Sequence, residues 1–342
     1  MKNRWKYLIA LLLVLLIAAG VYFFFSANNK KSPEYSLTLL QTAINSNDWD
    51  AVEKRMDMNT FYGQVFDDVI APTMRPTNDG FTNDFFSGIL QNVKATFISS
   101  MTEYTKEFVT KNSADKTLTL PEQVFARKFI GIINLKNATY KKYSNVKIHG
   151  STSTVDITIN DKTLDKDFLI QVSMKKLPDD TWQLVKILNV TDLLSNIKKA
   201  QAEKLVALNK PLSEEIANQI SISKGKFDIK TRANPWHSTA FIYNPLVTFK
   251  SDTQIASFIG QVQVLGKNDD PLFTQKYIVN GPFPIGAKQD YSFSWTLNPF
   301  VPGEKALIEA NKNDLKLKET ILGIKFIDGK NLQILEQIPE AD

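Results

Sequence analysis

Nineteen consecutive residues, Tyr7 to Phe25 (YLIALLLVLLIAAGVYFFF), carry no charge. Lys2, Arg4 and Lys6 precede them, and Lys30 and Lys31 follow. At about 1.5 Å of rise per residue such a helix is roughly 28 Å long, close to the roughly 30 Å hydrocarbon core of a bilayer. The run reads as a transmembrane signal anchor, with residues 1–6 as a cytoplasmic tail and 26–33 as a linker. No second apolar run of this length follows, and long domains translocate largely regardless of their charge. The expected arrangement is a single-pass cell-membrane protein with its N-terminus inside and its bulk extracytoplasmic. A cleaved signal peptide is the alternative, because Ala18-Ala19-Gly20 supplies small residues after the apolar stretch. Against cleavage, Val21 to Phe25 continue the run with aromatic residues that favour the membrane interface.

The net charge of +5 suggests nucleic acid only until it is located. Lys2, Arg4, Lys6, Lys30 and Lys31 account for all of it, which leaves the rest of the chain neutral. No nucleic-acid partner is expected from such a body. The chain has no cysteine, so disulfides, thiolate nucleophiles and cysteine-held zinc are excluded. His149 and His237 are the only histidines, too few for a multi-histidine metal site.

From Ser32 the period is helical. Ser32 suits a cap, Pro33 the first helical position, and Leu37, Leu40 and Ile44 one face, with Asn45-Ser46-Asn47 as the stop. A short helix capped by Asp48 follows, then another from Asn59 carrying Phe61, Val65, Phe66 and Val69. Pro72, Pro76 and Asn78-Asp79-Gly80 mark residues 71–80 as a loop. Between Phe81 and Val109 the residues Phe86, Leu90, Val93, Phe97, Met101, Tyr104 and Phe108 step by three or four, predicting one long amphipathic helix. Pro121 opens a further helical pattern through Ile132. From about Ala138 the period becomes two. Val155, Ile157 and Ile159, then Phe168, Ile170, Val172 and Met174, then Trp182, Leu184, Leu188 and Val190 predict strands of an antiparallel meander.

The helical pair SPEYSLTLLQTAINSNDWDAVEKRMDM and the closing hairpin DFLIQVSMKKLPDDTWQLVKILNV resemble membrane-anchored bacterial proteins that carry a nuclear-transport-factor-2-like (NTF2-like) domain. The resemblance covers residues 34–195. It implies an α+β fold, with helices packed into a curved antiparallel sheet around a cone-shaped hollow. That hollow would lie between the long helix and the strand from Trp182, with Phe86, Phe97, Met101, Tyr104 and Trp182 as candidate ligand-binding residues. Their character favours an apolar or amphipathic guest.

Residues 196–211 read as a helical connector closed by Pro211, and residues 212–342 as an all-β sandwich with turn signals at short spacing. The segments IASFIGQVQVLG, PFPIGAKQDYSFSW and GIKFIDGKNLQIL resemble immunoglobulin-like FxLYD-type modules, although the namesake tyrosine and aspartate are missing at Leu265-Gly266. At the last hairpin, Asp328-Gly329 invites a two-residue turn. That turn would set Ile324 against Gln333. A three-residue connection, Asp328 to Lys330, or an equivalent bulge, would pair Phe326 with Leu332 and Ile324 with Ile334, so the longer connection is expected.

Two Ser-x-x-Lys matches, at Ser195 and Ser221, lack the companion motifs of serine enzymes, and no phosphate-binding glycine loop occurs. The paired aspartates, such as Asp67 with Asp68, fit turns and helix starts. No catalytic residue, cofactor or metal is implied. The expectation is a non-enzymatic, membrane-tethered binding or scaffold protein whose partner is an apolar small molecule or an envelope protein. Alternatives are a hydrolase or isomerase using the hollow, and a structural accessory of an envelope complex.

Overall fold

A computed structural model describes residues 31–74, 83–111, 138–231 and 238–339. The anchor expected at residues 7–25 and the helix expected from Pro121 lie outside the described residues. No helix among the described ones is long and apolar enough to cross a membrane. The chain divides into two compact units, Met1–Ala202 and Glu203–Glu340. The first is α+β, and both rest on antiparallel sheets.

The first unit opens with α1 (Pro33–Asn45), α2 (Trp49–Arg55) and α3 (Met58–Val65). Each start has an acceptor for an otherwise orphaned amide. Ser32 Oγ accepts from Tyr35 N at 3.1 Å, Asp48 from Ala51 N and Asp57 from Thr60 N, both at 3.0 Å. A π-helical stretch, Phe66–Ile70, and α4 (Ala71–Met74) continue the chain. Helix thus persists through Pro72 where the turn residues predict a loop. Pro72 stands in the first turn of α4, where a missing N–H costs little. The long helix is α5 (Asn83–Lys111).

The sheet follows as β1 (Ala138–His149), β2 (Thr152–Asp161), β3 (Lys166–Lys176) and β4 (Trp182–Ile187), in the order β1-β2-β3-β4. Val155, Ile157, Ile159, Phe168, Ile170, Val172 and Met174 are all buried, as strict alternation requires. At β4 the alternation breaks. Ser173 faces Lys186 but Met174 faces Leu184, so Val185 is an extra residue and the faces exchange. Ile187 is therefore buried, Leu188 is 45% exposed, and Val190 starts the next helix instead of extending the strand. α3 packs on both β4 and α5, and Asp57 N donates to Leu184 O at 2.9 Å.

That next helix, α6, runs from Val190 to Gln219. It passes through Pro211, which was expected to end it. Pro211 is exposed, so the carbonyl it leaves unpaired can turn to water. On either side the helix is held within the second unit. Asn209 exchanges two hydrogen bonds with the Leu335 backbone at 2.9 and 2.8 Å, Glu215 meets Lys330 at 2.9 Å, and Ile216 is buried. These contacts outweigh the local preference to stop.

The second unit contains β5 (Ile220–Thr231), β6 (Thr239–Phe249), β7 (Ile255–Leu265), β8 (Pro271–Phe283), β9 (Lys288–Asp290), β10 (Phe293–Thr296), α7 (Pro302–Glu309), β11 (Lys316–Phe326) and β12 (Asn331–Gln333). One sheet is ordered β10-β6-β5, with β9 beside β6, and the other β12-β11-β7-β8. Phe241, Tyr243, Val247 and Phe249 of the first share one core with Phe258, Val262, Phe273 and Ile324 of the second, an arrangement consistent with a β-sandwich. The rings interlock: Phe249 stacks on Phe283 at 4.4 Å and 12°. Pro302-Gly303, which has turn character in sequence, instead opens α7, where proline suits the first helical position. The Gly281-Pro282 bond is cis and lies inside β8.

At the last hairpin the connection is three residues long but one residue earlier than expected. Phe326 N donates to Lys330 O at 2.9 Å, and Ile324 faces Leu332. The loop Ile327–Gly329 places Gly329 at φ +92. A three-residue loop needs a left-handed residue at its end. The expected register would have forced Lys330 into that conformation, whereas the observed one gives it to glycine and still buries Ile324 with Leu332.

Candidate functional site

The apolar residues singled out in the sequence are core. Phe97, Met101, Tyr104 and Trp182 are each 6% exposed or less. Phe86 lies in α5, and its side chain is outside the described set. Phe97 packs on Phe66 at 5.6 Å. Behind this face stands α3, whose Phe61, Tyr62 and Val65 are buried. The Tyr62 hydroxyl meets Thr105 Oγ1 at 2.5 Å, and Thr105 gives its own proton to Met101 O at 2.8 Å, so tyrosine is the donor. Burial pushes the Tyr104 hydroxyl up to about 12, and Glu107 adds to the shift. Trp182 serves another joint. Its Nε1 donates to Lys31 O at 2.8 Å and its backbone N to Ser36 Oγ at 2.9 Å, which pins β4 to the start of α1. The structure thus brings Phe97, Met101 and Tyr104 together on one helix face and uses Trp182 at α1.

Polar chemistry gathers on the other side of α1. Glu34, Thr38 and Gln41 follow one another at helical spacing, and α1 packs against β1 and β2. Facing Glu34 and Thr38 are Tyr140 and Tyr143, with ring centroids 4.8 Å apart and planes at 53°. Strict alternation would send residues three apart to opposite faces. A bulge between Tyr140 and Lys142 turns both tyrosines the same way. Glu34 Oε2 and both hydroxyls are buried from solvent without a protein hydrogen-bond partner. Burial holds the Tyr143 hydroxyl far above its ordinary range; Tyr140 and Glu34 reinforce this and Thr38 opposes it. Burial raises Tyr140 as well, with Glu34 again contributing. One turn beyond Thr38, Gln41 is 1% exposed and neither of its amide atoms has a partner.

Sequence reasoning missed this cluster. Glu34 looks like an acidic residue in a first helical turn, which the helix dipole favours. Tyr140 and Tyr143 look like unrelated strand residues. The available signal was Lys141-Lys142 between them. Two successive lysines cannot both face outward in a regular strand, so they mark a bulge. His149 takes no part, being exposed at the end of β1, and His237 is outside the described residues. Among the described residues no three His, Asp or Glu side chains converge as metal ligands would.

Among the described residues of the second unit, a comparable polar centre forms at Glu319. Tyr243 donates to Glu319 Oε1 at 2.5 Å, and Gly225 N donates to the same oxygen at 3.0 Å. Here the carboxylate is satisfied and links β5, β6 and β11.

No family model matches the chain, and no curated protein matches it. Among solved structures, the variable domain of the Streptococcus agalactiae AgI/II polypeptide BspA is similar over 52% of this chain and 81% of that one, at 11% identity and a TM-score of 0.09. A superposition at that level carries no argument.

Proposed function

We propose that the chain is a membrane-tethered, extracytoplasmic, non-enzymatic binding protein, anchored through residues 7–25. In this reading an NTF2-like unit recognises a ligand or envelope partner, and an immunoglobulin-like sandwich presents or spaces it. One observation carries the proposal: the α+β unit keeps the Glu34, Tyr140 and Tyr143 oxygens buried without protein partners. An unmatched buried polar group costs about 1–3 kcal/mol, so a fold that retains several in one place is poised for a molecule that matches them. The packing of Phe97, Met101 and Tyr104 moves the proposed site from the apolar interior to this polar face of α1.

An isomerase or hydrolase using Glu34 and Tyr143 is the second reading, favoured by a carboxylate within electrostatic reach of a tyrosine. The raised Tyr143 hydroxyl argues for binding instead. It stays protonated at neutral pH, whereas proton-transfer groups work best near the operating pH.

Two measurements test the proposal. After alkaline carbonate washing the full chain remains with membranes; release of a form starting near Val21 contradicts the tether. In thermal unfolding of the detergent-solubilised chain against amines, sugars and lipid-like compounds, a ligand at a hundredfold excess over its dissociation constant adds about 2.7 kcal/mol. Absence of any shift across all three classes contradicts binding.

A further inference from the structure

We infer that the outer face of the β1–β4 sheet lies on the phosphate headgroups of an anionic membrane surface, an inference that rests on the tether in the reading above. Val155, Ile157, Ile170 and Val172 are buried on the inner face, and the residues between them point the other way. Cross-strand register then sets Lys147 beside Thr154, Thr154 beside Ser173 and Ser173 beside Lys186, one row across all four strands. Lys175 follows on the same face of β3, two positions after Ser173. At about 4.8 Å between neighbouring strands, the backbones of Lys147 and Lys186 are roughly 14 Å apart.

The carboxylates of this face are already engaged. Asp156 is buried and accepts from Asn145 Nδ2 at 2.7 Å and Gln171 Nε2 at 3.0 Å. Asp167 meets Lys141 at 2.7 Å, away from the lysine row. Among the described residues Lys147, Lys175 and Lys186 enter no ion pair, and the first two are exposed. Lysine on an edge strand also deters strand pairing, which accounts for Lys147 but not for Lys175 on the interior strand β3. Each ammonium has three donors and no acceptor, which suits phosphate oxygens.

Position selects a membrane among polyanions. The chain enters this unit at the lysine-bearing end of the sheet: Trp182 Nε1 donates to Lys31 O at 2.8 Å, and Lys31 and Lys176 both hold Asp180, at 2.6 and 2.9 Å. Lys175 directly precedes Lys176. Ser26 to Ser32 alone separate the apolar run from α1, a reach of less than about 30 Å even when fully extended. The tether thus keeps these lysines near the headgroups, where each contributes about fivefold to local binding.

The test reads lysine reactivity in the full chain carried in nanodiscs, one set of phosphatidylcholine and one of equal parts phosphatidylcholine and phosphatidylglycerol. Reductive methylation followed by mass spectrometry should show Lys147, Lys175 and Lys186 protected about fivefold or more in the anionic discs, with Lys106, exposed on α5, unchanged. Added salt shortens the screening length and should remove the protection. Lys147→Gln combined with Lys175→Gln should lower it at Lys186, and an unchanged thermal transition shows that the variant is folded. Equal reactivity in both discs, or protection that persists in concentrated salt, overturns the inference. So does equal protection by soluble polyphosphate in neutral discs, which would make the face a general polyanion site. A chain that leaves the discs on gel filtration contradicts the tether and this inference together. One that stays while its lysines react equally contradicts this inference alone.

Discussion

The two units treat buried polarity in opposite ways. In the sandwich, Glu319 accepts from Tyr243 and from Gly225 N, and stacked rings such as Phe249 on Phe283 fill the interior. In the α+β unit, Glu34, Gln41, Thr102, Tyr140, Tyr143, Ser153 and Asp161 each keep a buried polar atom without a protein partner. Among the described residues the sandwich has one such atom, the Tyr277 hydroxyl. A module that matches its own polar groups suits support, and one that leaves them unmatched suits recognition. On the proposed reading, the functional burden falls on the α+β unit.

The comparison is broken most severely at the sandwich core. Phe241→Ala should destabilise that unit by about 3–5 kcal/mol. In denaturant unfolding, one of two transitions should move while the other stays, and a joint shift would show that the units do not stand separately. Tyr243→Phe is next. It removes one of the donors to Glu319 and should cost the same transition about 1–3 kcal/mol; a neutral result would mean the sandwich does not depend on its matched polar centre. Gln41→Leu should act in the opposite direction. Removing an unmatched buried amide is expected to raise the α+β transition by about 1 kcal/mol, and a loss of stability would mean that Gln41 is matched after all.

The smallest effect is electrostatic. Hydrogen bonds from Lys31 and Lys176 hold the Asp180 carboxyl down at about 2. A depressed carboxylate contributes stability that is present above its unfolded value of about 3.9 and is lost as pH falls through the folded value. Asp180→Asn should thus flatten the acid dependence of the α+β transition between about pH 4 and 2, and leave neutral stability nearly unchanged because the pair is exposed. An identical acid profile would remove Asp180 from the account.

Much of the fold was legible because periodicity reports burial. The stripe Leu37, Leu40, Ile44 and the alternation through β2 and β3 place those residues in the core, as found. Departures arose where one residue is counted twice or where a tertiary contact outweighs a local preference. The bulge at Val185 exchanged Leu188 for Ile187. Asn209 and Ile216 carried α6 through Pro211. At the last hairpin, glycine's access to positive φ moved the loop by one residue. The candidate site was hardest to read for the same reason. Aromatic periodicity marks a core as readily as a pocket, so Phe97, Met101 and Tyr104 drew notice, while Tyr140 and Tyr143 were brought together by a bulge.

The most direct test of this contrast is the thermal unfolding of the ligand-free full chain carrying Tyr140→Phe with Tyr143→Phe. Removing two unmatched buried hydroxyls should raise the α+β transition, by about 1 kcal/mol or more, and leave the sandwich transition in place. A drop would contradict the account, because it would show that those hydroxyls already hold the free protein together and are not kept for a ligand.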